Sequence, residues 1–151
     1  MGKLEIKVLL DFIFQERDLP RDLMEMYPLP ENTTDLRPWV SWITSDFVMK
    51  CPGRNASSIF SEAGLPAYRY LFNHVWSIPS AWGPNYPFCG DAVCHGAELP
   101  FVFDSASVSG YNFTAAERAL SRAMAYYWGN FAKTGVPGGP NLPSWCAFIF
   151  F

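Results

Sequence analysis

Cys89, Cys94 and His95 fall within seven residues of one another. A cysteine pair this close closes a short disulfide loop in an oxidising compartment, or contributes to a zinc site when further ligands are supplied. Zinc needs two more donors. The only other histidine is His74, and the remaining cysteines, Cys51 and Cys146, are isolated. The disulfide is therefore the favoured reading, ahead of unpaired thiols and then zinc, and neither a metal nor a cofactor is expected. His95 has two readings. An imidazole ordinarily titrates near pH 6.5 and serves as a general base at neutral pH, and loops held by rigid elements carry such groups. Against that, a histidine in a loop is often no more than a polar residue bonded to the backbone.

The other ionisable residues are read as structural. His74 lies on an aromatic stretch and is expected as a satisfied core histidine. Glu98, three residues from His95 on the same turn, is expected to make a structural hydrogen bond rather than to orient the imidazole. Asp46 and Glu62 are expected to be solvated or paired, and Asp91 to be a turn residue. The Asn-x-Ser/Thr triplets at Asn32, Asn55 and Asn112 are candidate glycosylation sites. With the cysteine pair they favour the secretory route.

Elements must hold these groups. Residues 4–14 are expected as a helix and 15–34 as proline-rich loop, with a helical turn near 21–26. Trp39, Val40, Ile43 and Phe47 recur at helical spacing. Pro38 is tolerable only in a first turn, so this helix starts near Asp35 and stops before Cys51-Pro52-Gly53. A short helix follows over 56–63. Ala67–Trp76 alternates aromatic and other large residues and reads as a strand buried on both faces. Residues 78–96 are loop, dense in Pro, Gly, Trp and Tyr. Thr114-x-x-Glu117 is a capping box that opens a helix from Ala115 to about Lys133, ended by Gly135 and Pro137. Leu120, Met124, Tyr127, Trp128 and Phe131 form one stripe along it, expected as core.

With 151 residues the chain has room for one domain. Half of it is hydrophobic and 17% aromatic, which excludes global disorder. The net charge of −3 argues against a nucleic-acid or anionic-membrane binder. No apolar run reaches the roughly 18 residues of a membrane span. Met1-Gly2-Lys3-Leu4-Glu5-Ile6-Lys7 does not read as a signal peptide or as a myristoylation site.

Four ordered segments resemble type-B carboxylesterases and cholinesterases. Cys94-His95-Gly96-Ala97-Glu98-Leu99-Pro100-Phe101-Val102-Phe103 resembles the stretch that carries the family's catalytic histidine. Ser45-Asp46-Phe47-x3-Cys51-Pro52 resembles a helix-end motif upstream of it, and Tyr68-Arg69-Tyr70-Leu71-Phe72-Asn73-His74 the strand before the histidine loop. Ala116-Glu117-x2-Leu120-Ser121-x2-Met124-x2-Tyr127-Trp128-Gly129-Asn130-Phe131-Ala132-Lys133-Thr134-Gly135-x-Pro137 is similar to the helix after it. This last segment is the most specific. The resemblance is strongest over residues 35–145.

The resemblance implies an α/β class, here an incomplete α/β-hydrolase fold with only its C-terminal strands and helices. It implies ester hydrolysis by a Ser–Glu/Asp–His triad, with His95 as the general base and a small-molecule ester as substrate. Such triads run serine, acid, histidine along the chain, the serine standing on a G-x-S-x-G elbow. That pattern does not occur in the 151 residues. The nearest stretch, Ser105 to Gly110, follows His95 and lacks the first glycine. The chain thus reads as roughly the last quarter of a catalytic domain, the isolated chain is expected to be inactive, and the family's final helix is missing. The cysteine matching Cys51 pairs in the family with one beyond this chain's end, and a bridge from Cys51 to Cys146 is not expected. The loop from Trp76 to Gly83 is expected to line the acyl or leaving-group side of the gorge. A non-catalytic, cholinesterase-like adhesion or binding module is the competing reading, and a truncated product without a role of its own is the third.

Overall fold

A computed structural model describes residues 5, 6, 8, 12, 25–31 and 34–149. The chain divides into two compact units, Met1–Gly64 and Leu65–Phe151. Residues 5, 6, 8 and 12 are helical, as are 25 and 26. The rest of the expected 4–14 helix, and the loop expected over 15–24, lie outside the described residues.

The first unit is built on a long helical run. Helix α1 spans Arg37–Ser45, a π-helical turn spans Asp46–Lys50, and helix α2 spans Cys51–Glu62. Pro38 sits in the first turn of α1, where its missing N–H costs nothing. Ile6, Leu36, Trp39, Val40 and Ile43 form the core, with Tyr27 and Leu29 packed on it. The Trp39 indole N–H is shared between the carbonyls of Tyr27 and Pro28, each at 3.2 Å. Asp46 is paired, with Lys50 Nζ at 2.6 Å and the Tyr27 hydroxyl donating to it at 2.8 Å. The lysine holds its carboxyl below the ordinary carboxylate range.

The expected stop before Cys51-Pro52-Gly53 is corrected: the helical run passes straight through it. A proline ring inside an α-helix collides with the carbonyl four residues back. Here the turn ahead of Pro52 is widened, so that the Cys51 N–H reaches the Asp46 carbonyl, five residues back. The wide turn also shifts the helical phase. Phe47, read as part of the apolar stripe, stands exposed with Val48 and Met49. The helix ends at Gly64, whose φ of +72° suits glycine.

The second unit is an extended run, a coiled loop and a long helix. Residues 65–76 are extended, but among the described residues no strand ladder is present. The expected strand over Ala67–Trp76 is corrected accordingly. A ladder needs a neighbour, and what runs beside this stretch is residues 145–148. Phe148 N–H donates to the Ala67 carbonyl at 2.7 Å and the Trp145 indole to the Arg69 carbonyl at 3.1 Å. Helix α3, Leu99–Val102, and helix α4, Ala115–Thr134, follow. The capping box of α4 forms as read, with Thr114 and Glu117 bonded to each other's backbone N–H, and Gly135 closes the helix in the left-handed conformation with φ +75°.

The core of this unit is Trp76, Ala97, Phe101, Ala106, Phe113 and Met124. Phe101 is fully buried and stacks on Phe113 with centroids 4.5 Å apart. On α4 the buried face is Glu117, Ser121 and Met124. The expected aromatic stripe is therefore corrected: Leu120, Trp128 and Phe131 are exposed. They flank an extended segment rather than a sheet, and Phe131 and Trp128 find single aromatic partners in Tyr68 and Tyr70. Among the described residues no helix is long and apolar enough to cross a membrane.

Candidate active site

The loop ahead of His95 is folded from the inside out by close contacts. Two short helical turns, Pro79–Trp82 and Pro87–Gly90, pack together. Gly90 is required at their contact, since a Cβ there would lie 2.9 Å from the Pro79 Cβ. Cys89 is buried and joined to Cys94 by a disulfide. The structure thus takes the first of the three options open for this pair.

His95 stands on the turn that follows, exposed to solvent. The turn is fixed on both sides. Ala97 N–H donates to the Cys94 carbonyl at 3.0 Å, and Leu99 N–H to the Gly96 carbonyl at 3.2 Å. The Trp76 indole donates to the Ala97 carbonyl at 2.9 Å, so a buried ring of the extended run grips the backbone two residues past the histidine. Gly96 has φ +83°, a conformation open to glycine at no steric cost. Disulfide, tight turn and indole clamp together hold an exposed imidazole on a rigid backbone. Nothing among the described residues engages the imidazole itself, which excludes the backbone-bonded reading of His95.

The disulfide encloses a short loop, with a sequence separation of 5. Chain-entropy reasoning for a loop of this length gives about 2 kcal/mol of stability. Thermal unfolding followed with and without a reducing agent is expected to show a fall of that size. An unchanged midpoint would mean that the turn is held by its hydrogen bonds alone.

The remaining sequence candidates are dispersed. Glu98 does not make the side-chain hydrogen bond expected of it. Its backbone carbonyl accepts from Phe101 and Val102, which start α3. The carboxylate is half-buried and bonds to nothing among the described residues, because the residue has become the N-cap of α3 and its backbone carries the local bonding. Asp91 is an exposed bend and Glu62 an exposed helix end. Cys51 and Cys146 are free and exposed. Asn55 is exposed on α2, Asn112 is exposed in the extended stretch before α4, and Asn32 lies outside the described residues.

His74 is partnered, though not in the core. Its Nε2 lies 3.1 Å from Glu117 Oε1, and its side chain is 38% exposed. Glu117 is the buried group. Its carboxylate accepts from the backbone N–H of Ser77 at 2.8 Å and of Thr114 at 2.8 Å, and from both their hydroxyls. Burial alone would raise its pKa, but the bonds from Ser77 and Thr114 outweigh that and hold the carboxyl far below the usual range. Sequence reasoning found Glu117 only as half of a capping box. The signal for the rest was not local, since Ser77 and His74 lie 40 and 43 residues away.

A cavity of about 370 Å³ opens beside the His95 turn. Gly96, Leu99 and Pro100 form one side of it, and Trp76 and Trp82 of the loop read as a gorge wall form another. His95 itself is not among the lining residues.

The comparisons with known proteins give the class and then the family. An exposed histidine on a rigid turn, ahead of a long capped helix, suits a hydrolase of the α/β type. The carboxylesterase family model matches residues 3–149, and the chain belongs to that family. Membership implies an α/β-hydrolase fold for the domain as a whole. Among similar proteins, human cocaine esterase is 43% identical over 90 residues, 59% of this chain and 15% of that protein. Carboxylesterase 5A of Felis catus is 34% identical over 111 residues, covering 70% and 20%. The crystal protein of Dictyostelium discoideum is 34% identical over 125 residues, covering 81% and 22%. The chain thus spans about a fifth of the length of the relatives it matches.

Proposed function

We propose that this chain is the histidine-bearing part of a carboxylic ester hydrolase that works by a Ser–Glu/Asp–His triad. The observation that carries the reading is His95, held exposed on a turn fixed by the Cys89–Cys94 disulfide and the Trp76 clamp. In the triad logic this imidazole takes the serine proton and returns it to the leaving group, while an acid orients it. Residues 1–151 then form the C-terminal part of a type-B carboxylesterase domain, and the nucleophile-bearing part is not in this chain. Two facts support this. The sequence contains no G-x-S-x-G, and the family's members are several times longer than the match. The chain alone does not turn over esters. The oxyanion donors of such enzymes stand beside the serine and on an early loop, so they are lost with the serine.

The disulfide also supports a secretory-pathway location, in keeping with glycosylation at Asn55 and Asn112. A second reading has one observation behind it. Two relatives, the crystal protein and the cAMP-regulated D2 protein of Dictyostelium discoideum, bear names that mention no reaction. A family member that binds without catalysing is the corresponding proposal here.

The deciding experiment uses the native source. An antibody to residues 111–135 is combined with a fluorophosphonate probe that labels active serines. The esterase reading expects a labelled, recognised species several times heavier than the chain's 17.0 kDa. A recognised species of any size that takes no label would give the binding reading its place.

A further inference from the structure

We infer that the cavity beside the His95 turn is a binding site for a compact aromatic molecule carrying a hydroxyl or carbonyl oxygen. Its volume of about 370 Å³ suits a one- or two-ring compound. Its walls have the chemistry for such a molecule. Trp76, Trp82, Phe103 and Tyr111 contribute aromatic surface, and Ser105, Ser109 and the Tyr111 hydroxyl contribute polar atoms. The Trp76 and Trp82 rings sit 4.9 Å apart, and Tyr111 meets Trp76 edge-on at 5.1 Å, so two of the walls are braced. The seryl and tyrosyl hydroxyls form no hydrogen bond among the described residues and are available to an occupant. Trp82 supplies a further unmet need. Its indole Nε1 is buried and has no hydrogen-bond partner in the structure, although the ring as a whole is only half-buried. An occupant that turns this ring slightly brings an acceptor oxygen to the donor.

The site differs from the proposed catalytic position, because His95 does not line it. It shares the backbone of Gly96 and Leu99 with the His95 turn, so an occupant rests against the back of that turn. Binding requires no turnover, and the inference therefore stands or falls apart from the esterase reading.

The test is a titration of the 151-residue chain, labelled with 15N at the indole nitrogens, with 2-naphthol as the probe. Of the six tryptophans, Trp76 and Trp82 are expected to shift saturably with a Kd below about 1 mM, while Trp39 in the first unit does not move. Ser105→Leu, which fills the cavity, is expected to weaken binding about tenfold or more, and naphthalene, which has no oxygen, to bind more weakly than 2-naphthol. The unbound spectrum is an internal control. The Trp76 indole, bonded to the Ala97 carbonyl, should resonate away from the unfolded cluster, and a chain in which it does not lacks the cavity and overturns the proposal. Equal drift of all six signals, no saturation, or unchanged affinity in Ser105→Leu overturns it as well.

Discussion

Replacing His95 with alanine in a whole domain that carries this segment lowers kcat by about 10⁴- to 10⁶-fold, with little change in KM. The size follows from how triads work. The histidine, the serine and the acid act as a unit, so removing the base costs nearly as much as removing the set, and what survives comes from the oxyanion donors and substrate binding. The structure makes the variant a clean test. His95 is exposed and sits outside the buried core, and the turn that carries it is held by backbone atoms and by the Trp76 indole rather than by the imidazole. Folding should therefore be unchanged, and an unaltered thermal midpoint beside the lost activity separates chemistry from stability. Fluorophosphonate labelling should slow in parallel, since the probe needs the activated serine. Activity within tenfold of the parent would remove His95 from the mechanism. A robust His95-dependent turnover of a chromogenic ester by the 151-residue chain alone would instead show that the serine and acid are supplied from within it.

The parts of this molecule that were legible in its sequence are those determined by neighbours along the chain. The capping box at Thr114 and Glu117, the α4 helix it opens and the left-handed stop at Gly135 depend on groups within four residues, and all three form as read. The Cys89–Cys94 pairing was favoured on spacing and chemistry together. Readings that depended on a distant neighbour fared worse. The alternation of residues 67–76 is a strand pattern, but a strand is a relation between two segments, and only residues 145–148 approach it here. The stripe Leu120–Phe131 has helical spacing, yet what buries a stripe is the surface opposite it. At Pro52 the rule that proline ends a helix met a local remedy, a wide turn, that composition does not announce. The candidate site follows the same division. His95 was legible through the residues beside it, whereas Glu117, the most buried ionisable group of the second unit, owes its environment to Ser77 and His74 across more than forty residues of chain.

Glu117→Ala is expected to destabilise the second unit by at least about 3 kcal/mol, because two buried backbone donors, Ser77 N–H and Thr114 N–H, lose their acceptor, and each orphaned group costs about 1–3 kcal/mol. For a unit of this size that is a fall of roughly 12 °C or more in Tm. The pH dependence is the sharper readout. The carboxyl of Glu117 is held well below its ordinary value, while in the unfolded chain it titrates near the model-peptide value of about 4.3. A group with a depressed folded pKa binds more protons when unfolded, so stability rises with pH across the window between the two values. The contribution is complete above about pH 5 and is lost progressively as pH falls through about 4.3 towards the folded value. The Ala variant lacks this titration, and its stability curve between about pH 5 and 3 should be flatter than the parent's. Glu117→Gln keeps the shape but turns an amide N–H₂ towards donors that need an acceptor, so it should recover only part of the loss and none of the pH slope. If Gln restored the parent's stability in full, the carboxylate charge would be irrelevant, and the anchor between the extended run and α4 would be a matter of packing alone.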